Sequence, residues 1–139
     1  MALNPLSGWL MAQQGGRDGV LQRLLDSTGS RLSPEAAAHY GVLLRNARHV
    51  RGVLAMMAAW NLAPLAKRLP DLPAPVHLHI GQADQTIPPS MAEVALRRIP
   101  GSTCVAAAGL GHLAHEENPA EVARHLLPWM ARAPAAPTN

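Results

Sequence analysis

The hydrophobic pattern divides the chain into a helical first part and an alternating second part. Val20, Leu21, Leu24 and Leu25 recur at helical spacing between Arg17 and Asp26, and Gly29 stops that helix. Ser33-Pro34 reads as an N-cap followed by proline at the first helical position, opening a helix that carries Tyr40, Leu43 and Leu44 to about Arg45. Asn46 breaks it and caps the next helix, Arg48 to Trp60, which has one strongly apolar side. Asn61 is placed to cap a short helix bearing Leu62, Leu65, Ala66 and Leu69. Pro70, Pro73 and Pro75 then predict an extended, helix-free connection.

From Val76 the period changes to two. Val76-His77-Leu78-His79-Ile80 alternates and ends at Gly81, a strand signature. A loop to Pro89, a helix over Ser90–Arg98, a turn at Pro100-Gly101, a second strand over Ser102–Ala107, a glycine-rich loop and a helix over Pro119–Met130 follow. Strands alternating with helices predict parallel pairing through a right-handed crossover, an α/β arrangement. The expected organisation is a helical segment over 1–75, an α/β part over 76–131 and a disordered tail over 132–139.

Composition narrows this picture. Apolar residues are 48% of 139 positions, enough for a core, and aromatics only 3% with no Phe, which argues against a base-stacking nucleic-acid binder. The formal charge is +3, and its small Arg and Lys clusters are too sparse for a phosphate track, so solvated helix faces account for them. The lone Cys104 allows no internal disulfide and falls in a predicted strand, where a small buried side chain is expected. No stretch approaches the ~18 apolar residues of a membrane span, and Met1–Met11 lacks the basic start of a signal peptide. The expectation is a cytoplasmic protein, at most peripheral to a membrane.

Two polar residues fall where open α/β sheets carry their chemistry, past the C-terminal ends of the strands. Asp84 lies four residues beyond Ile80 and His112 five beyond Ala107. Taken singly, each suits an ordinary loop: an Asp capping backbone, a His satisfied by it. Taken together, after successive parallel strands, they suit a carboxylate that orients an imidazole and stabilises its charged form. The spacing of His112, His115 and Glu116 also admits metal ligands, but no metal and no cofactor is expected. No serine of the chain sits in a G-x-S-x-G turn, and an acid–base pair alone cannot run covalent acyl transfer.

The run Ile80-Gly81-Gln82-Ala83-Asp84-Gln85-Thr86-Ile87-Pro88, followed by Gly109-Leu110-Gly111-His112, resembles the acid and histidine loops of α/β-hydrolases. Thr28–Leu32, Leu44–Asn46, His49-Val50, Leu54–Trp60 and Gly109–Glu117 resemble, more narrowly, the magnesium-chelatase accessory proteins of bacteriochlorophyll biosynthesis. The resemblance runs from about Leu3 to Trp129 and covers only the second half of that family. It implies the C-terminal part of an α/β-hydrolase fold, a helical cap segment followed by two parallel strands alternating with helices. It implies Asp84 as triad acid and His112 as triad base, with Met57, Trp60 and Leu113 lining an apolar substrate pocket. The ligand it implies is an apolar small molecule or a tetrapyrrole, and the partners are magnesium-chelatase subunits. Three readings stay open: a hydrolase half inactive alone for want of a nucleophile, a non-enzymatic accessory or binding module, and a truncated reading frame. Two parallel strands make a weak sheet, so marginal folding or reliance on a partner half is expected.

Overall fold

The computed structural model describes residues 19–132. They form two compact units. One runs to Asp26 and resumes over Leu32–Asn61; the other joins Ser27–Arg31 to the chain from Leu62 onward.

The first unit is helical: α1 (Val20–Asp26), α2 (Pro34–Arg45) and α3 (Ala47–Ala58). The start of the first predicted helix, at Arg17 and Asp18, lies outside the described residues. Ser33 caps α2 by accepting the Ala36 N–H at 3.2 Å. Asn46 ends α2 and opens α3, its Oδ1 accepting from the N–H groups of Arg48 and His49, both at 3.1 Å. Side-chain caps are local chemistry, so these boundaries follow directly from sequence.

The second unit opens with α4 (Ala63–Arg68) and a 3₁₀ turn over Leu69–Asp71. Two expectations fail here. Leu62, not Asn61, occupies the cap position of α4, and no side chain caps it. Pro64 supplies the fixed φ that starts a helix without one. The connection is also not free of helix at Pro70, which sits in the first turn of the 3₁₀ segment, where a missing N–H costs nothing.

Then come β1 (His77–Gly81), α5 (Ser90–Arg98), β2 (Thr103–Ala107), a short α6 (Ala114–Glu117) that the sequence pattern does not announce, and α7 (Pro119–Arg132). The helix α7 runs to Arg132; residues 133–139 lie outside the described residues. Asn118 and Glu121 cap α7 reciprocally, Glu121 N–H to Asn118 Oδ1 and Asn118 Nδ2–H to Glu121 Oε2, each 3.1 Å. The strands pair in parallel from His77 opposite Thr103 to Gly81 opposite Ala107. This is the α/β pairing the alternation predicts.

Alternation puts His77 and His79 on the sheet face that meets α7. His77 stacks on Trp129, ring centroids 5.2 Å apart and planes 25° apart, and its Nδ1 hydrogen-bonds Thr103 Oγ1 at 2.7 Å. His79 Nε2 and His125 Nδ1 share a hydrogen bond at 3.4 Å. The histidines thus form the seam between sheet and helix. Burial, then the neighbouring His125 and His77, hold the His79 imidazole below its ordinary titration range, while Glu121 opposes them. A lowered folded pKa means that the native state resists protonation. The associated stability is complete above the unfolded value of about 6.5 and is lost as pH falls through the folded value. Thermal unfolding followed from pH about 7.5 to about 5.5 is expected to show a falling midpoint, with a shallower slope in His79→Gln. An equal slope in the variant would assign the effect to other groups.

Candidate functional site

The site is built where two strand ends meet a third segment of backbone. Past β1, the chain turns at Gln82 and Ala83, whose N–H groups donate to Ala107 O at 2.9 Å and Leu110 O at 2.8 Å. The acid loop is therefore tied to the end of β2 and to the histidine loop. The Thr28 carbonyl accepts from Gln85 N–H and from His112 N–H, both at 3.2 Å, joining the two loops through segment 27–31.

Glycine permits this meeting. A Cβ on Gly81 would strike the carbonyl oxygens of Leu110 and Gly111, and one on Gly111 would strike the backbone of Gly29 and Ser30. Gly29 packs likewise against the Ala83 carbonyl, at φ +74°, a conformation that L side chains rarely adopt.

Within this frame Asp84 and His112 come together, Oδ2 to Nδ1 at 2.9 Å. The other oxygen, Oδ1, accepts from the N–H groups of Thr86 and Ile87, each at 2.8 Å. The Asp84 side chain is 11% exposed and that of His112 32%. Burial by itself would raise the Asp84 pKa; the hydrogen bonds from Ile87, His112 and Thr86 outweigh it and hold the carboxyl below its usual value. An ionised carboxylate only accepts, so the proton between the two sits on Nδ1. In a neutral ring that leaves the lone pair on Nε2, the form a general base requires.

The flanking residues are equally engaged. Gly111 N–H donates to Glu117 Oε1 at 2.7 Å, Leu113 N–H to Ser30 Oγ at 2.8 Å, and Arg31 N–H to Glu117 Oε2 at 3.0 Å. Ser30 is 2% exposed, the one buried polar residue among those described. Sequence reasoning assigns neither Ser30 nor Glu117 a role as an anchor. Leu113 and Arg31, which Ser30 and Glu117 hold, are remote from them in sequence, and the bonds go to backbone N–H groups, so no local signal points to them.

An open groove of about 420 Å³ adjoins the pair, walled by Leu78, Ile80, Met91, Ala95, Val122 and Leu126 and reaching Asp84 and His112. Leu113 is half-buried beside His112 and is not part of that wall. Met57 and Trp60 belong to the helical unit, where they are 50% and 55% exposed. No group of three or more His, Cys, Asp or Glu side chains is placed to hold a metal among the described residues. His115 instead faces Glu116, Nε2 to Oε1 at 3.5 Å. Among those residues no helix is long and apolar enough to cross a membrane.

The model of the alpha/beta hydrolase family matches residues 2–125. The magnesium-chelatase 30 kDa subunit of Rhodobacter capsulatus is 34% identical over 130 residues, which cover 94% of this chain and 45% of that one. Among solved structures, a putative lipase from Acinetobacter baumannii superposes with a TM-score of 0.67 at 18% identity, covering 91% of this chain and 45% of its own. A thermophilic esterase from Thermogutta terrifontis gives 0.65 at 24%, covering 92% and 50%. The chain thus spans about half the length of the relatives it matches.

Two substitutions separate the roles of crowding and conformation. Gly111→Ala forces backbone apart and is expected to cost about 3 kcal/mol. Gly109→Ala meets open space at φ +72° and should cost only about 1 kcal/mol. Urea unfolding of both variants checks this; equal costs would remove the backbone crossing as the tight point.

Proposed function

The chain belongs to the alpha/beta hydrolase family, and from that premise we propose that Asp84 and His112 are the acid and base of a Ser-His-Asp triad, a half-site completed by a nucleophile that these 139 residues do not supply. The observation that carries this is the 2.9 Å contact between Asp84 Oδ2 and His112 Nδ1 across two strand-end loops. It leaves Nε2 to take a proton from a serine hydroxyl and to return it to the leaving group, while Asp84 stabilises the imidazolium in between. Three of the six serines have other duties: Ser30 accepts from Leu113, Ser33 caps α2, and Ser102 donates to Ile99 O at 2.7 Å. None lies in a G-x-S-x-G turn. On this reading the chain is the C-terminal half of a hydrolase fold, inactive by itself.

The test is a chimera of the Rhodobacter capsulatus relative in which its matching stretch is replaced by this chain. Turnover of an activated ester is expected, and His112→Ala should lower it about 10³-fold or more. An inactive chimera, or one indifferent to His112, would sink the triad reading.

A second reading is favoured by the 34% identity to a magnesium-chelatase subunit. Here the chain is a non-enzymatic accessory module of bacteriochlorophyll synthesis that binds a tetrapyrrole or a chelatase subunit, and the acid–base pair is a structural inheritance. Titration with a free-base porphyrin at micromolar concentration would then shift the Soret absorbance. An unchanged spectrum would count against tetrapyrrole binding.

A further inference from the structure

The stretch that carries His112 is fastened at three consecutive N–H groups by three different acceptors. Gly111 gives its hydrogen to Glu117 Oε1, His112 to the Thr28 carbonyl and Leu113 to Ser30 Oγ, at 2.7, 3.2 and 2.8 Å. Two of these acceptors lie in segment 27–31. The third, Glu117, reaches the same segment with its other oxygen, accepting from Arg31 N–H at 3.0 Å. One carboxylate therefore bridges the residue preceding His112 and the segment that holds His112 and the residue following it.

A carboxylate offers one acceptor oxygen to each of the two donors. An amide offers one oxygen and turns N–H toward the second N–H, so it loses one bond and adds a repulsive contact. Charge-assisted bonds to a carboxylate are in general stronger than neutral ones, and those from Gly111 and Arg31 to Glu117 measure 2.7 and 3.0 Å. Helix capping does not explain the residue, because Asn118 and Glu121 already cap α7.

We propose that Glu117 is a positioning residue for His112: by tying Gly111 to Arg31 it sets the direction in which the imidazole leaves the backbone, with Nδ1 on Asp84 and Nε2 free to face a reacting group. This rests on the acid–base reading of the pair, but it concerns geometry that exists without turnover. The ring then needs no rearrangement when a nucleophile arrives, which is the entropy saving that a fixed base provides.

The test uses the full 139-residue chain and the imidazole ¹H–¹⁵N spectrum, which separates the Nδ1–H and Nε2–H tautomers. In the unaltered chain His112 should be the Nδ1–H tautomer with a downfield, slowly exchanging ring proton. Asp84→Asn should abolish that signature. Glu117→Gln should move it toward that of Asp84→Asn, while Glu121→Gln, which removes only a capping carboxylate, should leave it in place. A Glu117→Gln spectrum identical to that of the unaltered chain overturns the proposal. If Asp84→Asn changes nothing while Glu117→Gln does, the clamp stands and the acid–base reading fails. Should Glu117→Gln not fold, amide exchange in the unaltered chain decides. Gly111, His112 and Leu113 should each exchange at least about tenfold slower than an unstructured peptide. Fast exchange at Gly111 overturns the clamp.

Discussion

The arrangement depends on one steric permission. Three stretches of backbone, at Gly29, Gly81 and Gly111, pass so close that a single methyl group on any of them would strike a neighbour's carbonyl or amide. That closeness puts the Thr28 carbonyl within reach of both strand-end loops and the Ala83 N–H within reach of Leu110. The loops of β1 and β2 are thus a single bonded unit rather than two neighbours. The acid and the imidazole meet because their backbones are already tied.

The electrostatics follow from this order. Asp84 accepts three hydrogen bonds, two from its own loop and one from His112, and these keep it charged despite being largely covered. A charged Asp84 in turn fixes which ring nitrogen of His112 carries hydrogen. The local turn thus stabilises a charge, the charge orients a ring, and the ring presents one nitrogen outward. Each step is weak alone; together they specify one tautomer in one direction.

Much of this was legible in the sequence because the signals are local. Ser33 and Asn46 declare helix ends through side chains that reach only two or three residues. The alternation at His77–Ile80 declares a strand, and Asp84 and His112 stand out by their distance from strand ends. Asn61 misled because proline at the start of α4 makes a cap unnecessary. The four-residue α6 has too few positions to show a period. Ser30 and Glu117 were invisible as anchors, since what they hold is backbone, which carries no residue identity, and two of those three bonds span 83 and 86 positions. That the histidines of β1 meet Trp129 and His125 is shown only by the packing of α7.

Those long separations bear on how the molecule folds. Asp84 and His112 enclose a loop of 28 residues, whereas Ser30 to Leu113 and Arg31 to Glu117 enclose loops three times as long. Closing the longer loops costs about 1 kcal/mol more in chain entropy, and it is repaid only after β1 and β2 are paired. The bonds that hold the histidine stretch therefore differ in entropic cost: those from Asp84 and Glu117 close short loops, and those from segment 27–31 close long ones.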